Sequence, residues 1–266
     1  MSAGNRALAE LAAAALIGAH MARTRYENLP DDLRPRSLDQ AYAIQAAFQR
    51  LLIPDQGKIA GYKIALTSKA MQDFVGIHHP LWGAIFTKRV HRSPAGLAAS
   101  DHVHLGIECE IALKLGRDLP AGGAPYGEAE VTAAVEAAMP AFELVEDRNA
   151  DYKTLDAFGL VADNAWNAGI VLGPEIADWR QRDLGAAHGK LELNGTFVGE
   201  GHGRDALGHP VTALTWLANG LAERGLALST GMIVMTGSIV TTKFLKSGDR
   251  ARYVLDGMGA AELSVV

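Results

Sequence analysis

Two observations predict an α+β fold with a β-rich core. Helical periodicity is confined to residues 1–55 and to two later stretches, while the rest of the chain carries short apolar runs between Gly and Pro turns. Regular alternation of strand and helix, the mark of a parallel α/β sheet, is absent. With 266 residues, 48% hydrophobic and 21% charged, the chain is long enough to bury a full core.

Residues 1–55 are expected to form an N-terminal helical portion, and residues 56–266 a β-rich domain. The first helix covers about residues 4–22. A Pro-bearing loop (29–36) leads to Ser37, an N-cap with Gln40 three residues on, which opens a helix that Pro54 ends. Strands are expected at 59–66, 84–90, 107–115, 141–145, 168–172, 190–193, 232–236, 251–255 and 261–265. Helices interrupt them at 127–138 and at 210–224. The second has Leu214, Leu217, Ala218 and Leu221 at helical spacing and stops at Gly225.

Composition narrows the partners. A net charge of −5 leaves no basic stripe for nucleic acid. The longest apolar run, 11–19, is nine residues, too short to span a bilayer; Glu10 beside it and the lack of a small-residue cleavage site disfavour a signal peptide. A single cysteine, Cys109, excludes an internal disulfide and fits a cytoplasmic location. Strand alternation turns Cys109 into the core.

Chemistry concentrates in IECEIALKL (107–115). Ile107, Cys109, Ile111, Leu113 and Leu115 share one strand face, and Glu108 and Glu110 share the other. Carboxylates two apart on a strand lie roughly 6 to 7 Å apart at Cβ, close enough to share a hard divalent cation. Glu143, in PAFELV (140–145), is a third ligand if its strand lies alongside. The pattern by itself also fits the solvated face of an ordinary antiparallel strand. Lys63 sits in the apolar strand GYKI, where an ammonium needs an anionic partner or a place on a wet face. Asp163 and Asn164 form a polar pair in an apolar run and either line a site or cap a turn. Thr236, Gly237 and Ser238 follow a strand and offer N–H groups and hydroxyls to an anion. His78 and His79 precede Pro80 in a loop. A His-carboxylate base built from them would need Asp73, Glu146 or Asp147 nearby.

The ordered set GYKIALTSKAMQ (61–72), HPLWGAIF (79–86), GIECEIALKLGRDLP (106–120), PAFELVEDR (140–148), VADNAWNAGIVLG (161–173), GHPVTALTWLANGLAERG (208–225) and MIVMTGS (232–238) resembles the 2-oxopent-4-enoate hydratase and 4-oxalocrotonate decarboxylase family, within the fumarylacetoacetate hydrolase superfamily. The similarity runs from about residue 40 to the C-terminus. It implies a mixed β-sandwich roll with an N-terminal helical portion, assembled as a homo-oligomer. It implies that Glu108, Glu110 and Glu143 hold Mg²⁺ or Mn²⁺, that Lys63 is an active-site lysine, and that Asp163, Asn164 and Ser238 line the pocket for a small 2-oxo or 2-hydroxy acid.

One position departs from the pattern. Hydratases of this family carry an aspartate after the proline of the Pro-x-aromatic-Gly segment, where this chain has Leu81. Leu81 is expected in a loop facing the metal, where an apolar residue suits a decarboxylase, or a hydratase in which another group such as His78 or His79 supplies the acid-base chemistry. The activity implied first is hydration of a 2-hydroxy-2,4-dienoate to a 4-hydroxy-2-oxo acid in meta-cleavage catabolism of aromatic compounds. The alternatives are decarboxylation of 2-oxohex-3-enedioate, C–C hydrolysis of an acylpyruvate, and a metal-binding protein of the same fold without turnover.

Overall fold

The computed structural model describes residues 3–266. Helix α1 (Ala3–Ala22) packs on α2 (Leu38–Gln56) through Ala9, Ala12, Ala13 and Leu16 against Ile44, Ala47 and Phe48. The small residues allow close approach of the two backbones. Ser37 Oγ accepts from Gln40 N at 3.2 Å, as a cap should. Helix α2 passes Pro54 instead of ending there, because in the last turn the missing N–H removes one bond only and Gly57 N closes the helix on Ile53 O. Ala162, far along the chain, completes this small core and joins the helical pair to the rest.

The chain continues through β1 (Ile59–Ala65), α3 (Lys69–Val75), β2 (Leu81–Phe86), β3 (Val90–Arg92), β4 (Ala95–Leu97) and β5 (Leu105–Leu115). Helix α4 (Glu128–Ala134) precedes the long β6 (Val135–Glu146), then come α5 (Ala157–Ala162) and β7 (Asn167–Leu172). Strands β8 (His188–Leu193) and β9 (Thr196–His202), helix α6 (Pro210–Ala222), and strands β10 (Ile233–Met235), β11 (Val240–Phe244), β12 (Arg250–Leu255) and β13 (Gly259–Val265) complete it.

Two sheets result. The larger runs β2-β1-β10-β5-β6-β7-β3, with β10 and β11 pairing successive halves of β5. The smaller runs β4-β13-β12-β8-β9. Cys109 and Phe142 belong to the main core with Leu191 and Tyr253 of the second sheet, and the Phe142 and Tyr253 rings lie 6.0 Å apart. The larger sheet curls until β2 approaches β7. The interior of the roll is filled by Ile85, Ala112, Met139, Ile170 and Met235, each worth roughly 1.5 to 3 kcal/mol for the larger side chains.

Three expectations needed correction. The stretch 135–138 is not helical: α4 ends at Ala134 and β6 begins, because an alanine-rich run with high helix propensity is captured by pairing with β5 and buried on both faces. Strand β2 spans Leu81–Phe86, with a 3₁₀ turn at Thr87–Arg89 where strand was expected. Leu81 is therefore not a loop residue; it is fully buried in the main core, paired with Ala65. Helices α3 and α5, of 7 and 6 residues, are too short to show a period in the sequence.

Candidate active site

Strand period places Glu108 and Glu110 on the interior side of β5, and the antiparallel register sets Glu143 of β6 directly opposite Glu108. Like charges opposite each other destabilise a sheet. Here a third carboxylate is added, and one ligand oxygen from each lies within 4.8 Å of the others. Glu110 and Glu143 are 0% exposed.

Each carboxylate is held by one oxygen. Thr242 Oγ1 donates to Glu108 Oε1 at 2.6 Å, Gly237 N to Glu110 Oε2 at 2.7 Å, and Asn167 Nδ2 to Glu143 Oε1 at 3.1 Å. Glu110 Oε1 and Glu143 Oε2 are buried with no hydrogen-bond partner among the described residues. The Gly237 contact depends on the break between β10 and β11, which leaves residues 236–239 outside the ladder beside Glu110. Gly237 has φ +113, and a Cβ there would sit 2.4 Å from Thr67 Cγ2, so glycine is required.

Lys63 meets this group at Glu143 Oε1, 2.9 Å away, with its side chain 4% exposed. In a flat sheet β1 and β6 stand three strand spacings apart, roughly 14 Å. The contact exists because the sheet curls. It also needs Gly61, where a Cβ would meet Ile233 O at 1.8 Å. Burial favours the neutral amine, but Glu143 and Glu108 outweigh it and raise Lys63, so the ammonium persists. Burial, then the Glu143 and Glu108 charges, push Glu110 well above the ordinary carboxylate range. Burial also raises Glu143, against the pull of Lys63.

A cavity of about 380 Å³ opens over the cluster, with Lys63 and Glu108 in its wall beside Ser238, Val240, Leu160 and Trp166. Among the described residues, Lys63 is its only cationic side chain. A hollow of about 400 Å³ on the second sheet, around Glu192, Arg250, Arg252 and Glu262, includes none of these groups. Ser238 lines the cavity and donates to Val240 O at 2.6 Å.

Asp163 and Asn164 stand behind the cavity, not in its wall. Asp163 accepts from Arg148 Nη2 at 2.8 Å and lies 2.6 Å from His20 Nε2. Asn164 bonds both N and O of Ala84 and accepts from Gln49. Together they hold the left-handed residues Asn164, Ala165 and Trp166, of which the last two reach the cavity. Their turn-holding role accounts for the polar pair. His78 and His79 do not line the cavity either: His78 is exposed, 3.7 Å from Asp73, and His79 Nδ1 contacts Pro80 O. Leu81, sealed in the core, does not face the cavity. His78 and His79, the base that the sequence suggested, thus lie outside the cavity wall, and Leu81 lies in β2 instead of a loop. Reading the sequence missed Asn167, Thr242 and Tyr152, which the fold brings to the site from separate segments.

The donor set suits a hard divalent cation. Three carboxylates against one ammonium leave excess negative charge in a buried place, and two oxygens lack any partner. Oxygen-only ligands favour a hard divalent cation of the Mg²⁺, Ca²⁺ and Mn²⁺ kind over softer ions.

Residues 79–266 match the family described as fumarylacetoacetate (FAA) hydrolase C-terminal. The chain is 36% identical over 251 residues to 2-keto-4-pentenoate hydratase 1 of Dechloromonas aromatica, covering 93% of this chain and 94% of that one. It is 32% identical to 4-oxalocrotonate decarboxylase of Pseudomonas putida, with 89% and 88% covered. Its fold matches that of 4-oxalocrotonate decarboxylase from Pseudomonas putida G7, solved with magnesium and adipate, at a TM-score of 0.91 and 27% identity over 98% of both chains. The chain therefore belongs to the fumarylacetoacetate hydrolase C-terminal family, in its group of 2-keto-4-pentenoate hydratases and 4-oxalocrotonate decarboxylases.

Proposed function

We propose that this protein is a divalent-metal-dependent hydro-lyase that hydrates a 2-hydroxy-2,4-dienoate to a 4-hydroxy-2-oxo acid. The observation that carries the reading is the buried Glu108, Glu110 and Glu143 cluster, with unpartnered oxygens, beside the Lys63 ammonium. The three glutamates would hold Mg²⁺ or Mn²⁺, which when bound supplies Lewis acidity toward the carboxylate and C2 oxygen of a 2-oxo acid. Lys63 offers a charge-assisted hydrogen bond to the same end of the substrate, and it can hold or return a proton there. Thr242 and the Gly237 N–H keep Glu108 and Glu110 oriented. Ile239, Val240 and Leu160 exclude bulk water from the carbon chain.

The choice of hydration over decarboxylation rests on charge. A hexenedioate brings a second carboxylate, and among the described residues the wall provides no second cation to receive it. A monocarboxylate with a short unsaturated tail fits better, in keeping with the hydratase relatives. Leu81 carries no weight between the two readings, because it lies outside the cavity. The base considered for an acylpyruvate hydrolase, His78 or His79, is away from the wall, and the hydratase relatives favour hydration.

The test is to incubate Mg²⁺-loaded protein with 2-hydroxypenta-2,4-dienoate, 2-oxohex-3-enedioate and an acylpyruvate, identifying products by mass. Metal-dependent formation of 4-hydroxy-2-oxopentanoate is expected. Carbon dioxide from the enedioate without hydration of the dienoate would overturn the reading.

A further inference from the structure

A hydrogen-bonded chain outside the metal cluster also reaches the cavity. Tyr152 lines the wall, and its hydroxyl donates to Asp147 Oδ2 at 2.9 Å. Asp147 is 1% exposed; its Oδ1 lies 2.6 Å from His104 Nδ1 and accepts from Asn149 N at 2.9 Å. His104 stacks on Phe244 at 4.0 Å and is one-third exposed, so the chain runs from the cavity to solvent. Trp166 packs edge-on against the Tyr152 ring at 5.8 Å and fixes its position. Burial and the Asp147 carboxylate raise the Tyr152 hydroxyl, which therefore enters any reaction protonated.

This chain answers a need that the metal cluster leaves open. Addition of water requires a group to take its proton, and the glutamates are committed to the cation. Besides Glu108, the wall holds one carboxylate, Asp205, whose Oδ2 is engaged by His202 N at 2.7 Å. Tyr152 gives the buried Asp147 access to the cavity through a phenol.

Resting on the hydratase reading, we propose that Tyr152 activates the water, with Asp147 taking up the displaced proton and His104 as a positioning residue. The water oxygen bonds to C4 of the 2-oxo-3-enoate as the C3–C4 π pair shifts toward the C2 oxygen. One water O–H breaks, its proton passing to Tyr152 Oη while the Tyr152 proton passes to Asp147 Oδ2. Return of a proton along the same path to C3 restores the C2 carbonyl and completes the addition of H and OH. The logic is that of a nucleophile activated by a base which a third group orients.

Tyr152→Phe, Asp147→Asn, His104→Gln and Asp205→Asn separate this from other roles when two steps are followed with Mg²⁺: loss of dienol absorbance on ketonisation, and 4-hydroxy-2-oxopentanoate by mass. Tyr152→Phe is expected to lower kcat for hydration by about 10²-fold at unchanged KM, with ketonisation and Mn²⁺ binding retained, so that the 2-oxo-3-enoate accumulates. Asp147→Asn should act in the same sense, His104→Gln should lower kcat less, and Asp205→Asn should lower hydration far less than Tyr152→Phe does. Unchanged hydration in Tyr152→Phe, or equal loss of ketonisation and metal binding, would overturn the proposal, as would loss of hydration in Asp205→Asn alone. Wild-type protein that ketonises the dienol but forms no hydrated product would instead remove the hydratase reading, and this proposal with it.

Discussion

Two groups of buried charge lie at the two ends of a short stretch of chain, and they are built in opposite ways. Glu143 belongs to the first, with Glu108, Glu110 and Lys63; Arg148, five residues later, belongs to the second, with Asp163 and His20. Burial is nearly the same, 0% for Glu110 and Glu143 against 1% and 2% for Asp163 and Arg148. In the second group both oxygens of Asp163 are partnered, at 2.8 and 2.6 Å, so its carboxylate is closed, and the atom left without a partner among the described residues is a donor, Arg148 Nε. In the first, two carboxylate oxygens have no partner and the anions outnumber the cation. A closed charge group holds a turn, and an open one waits for a ligand. Burial of charge alone does not tell the two apart; the balance of partners does.

The largest effect should come from opening the closed group. Arg148→Met leaves the Asp163 carboxylate buried beside His20 alone and is expected to destabilise the fold by about 3 to 5 kcal/mol, read from denaturant unfolding, with Mg²⁺ restoring none of the difference. If Mg²⁺ restored it, the second group would not be separate from the metal site.

Next is Lys63→Met, which keeps the alkyl stem and removes the charge. Turnover of the dienoate should fall at least about tenfold, a loss of ~1.4 kcal/mol in the transition state. Unchanged kinetics in a folded variant would reduce Lys63 to a counter-ion.

A smaller effect follows from pH. Because Glu110 is raised in the folded metal-free protein, that state holds its proton more tightly than the unfolded chain does. Stability of the metal-free protein should therefore fall as pH rises from about 4.3, the ordinary glutamate value, through the folded value of Glu110. Cation and proton compete for Glu110, so Mg²⁺ affinity, and the rise in Tm on adding Mg²⁺, should increase with pH over the same window. A rise in Tm independent of pH would contradict the raised Glu110. The smallest effect is expected from His78→Ala and His79→Ala, within about 0.5 kcal/mol in stability and without change in turnover.

What could be read from the sequence followed a simple rule. Glu108 and Glu110 were legible because strand period puts both on one face, and Lys63 because a lone cation stands out in an apolar strand. Leu81 was misplaced because β2 is buried on both faces and carries no alternation that would mark it as strand. The helix expected over 127–138 ran too far for a related reason: alanines favour helix locally, and only pairing with β5 decides otherwise. Asp163 and Asn164 stand out as a polar pair in an apolar run, but their partners His20, Arg148, Gln49 and Ala84 lie in four separate segments. Tyr152, Asp147 and His104 carry no spacing signal, since only the β5 and β6 register brings His104 level with Asp147.

The measurement that bears most directly on the contrast is Mn²⁺ binding, by calorimetry and by electron paramagnetic resonance, to wild type and to Glu110→Gln. Wild type should take up one ion per chain and release protons in doing so. Glu110→Gln should lose at least about 10² in affinity while its metal-free Tm is no lower than that of wild type, because burial and the neighbouring glutamates already disfavour an ionised carboxylate there and a neutral amide has no charge to desolvate. Equal Mn²⁺ affinity in the two proteins, or a metal-free Tm several degrees lower in the variant, would contradict the claim that this cluster is an open site completed by a cation.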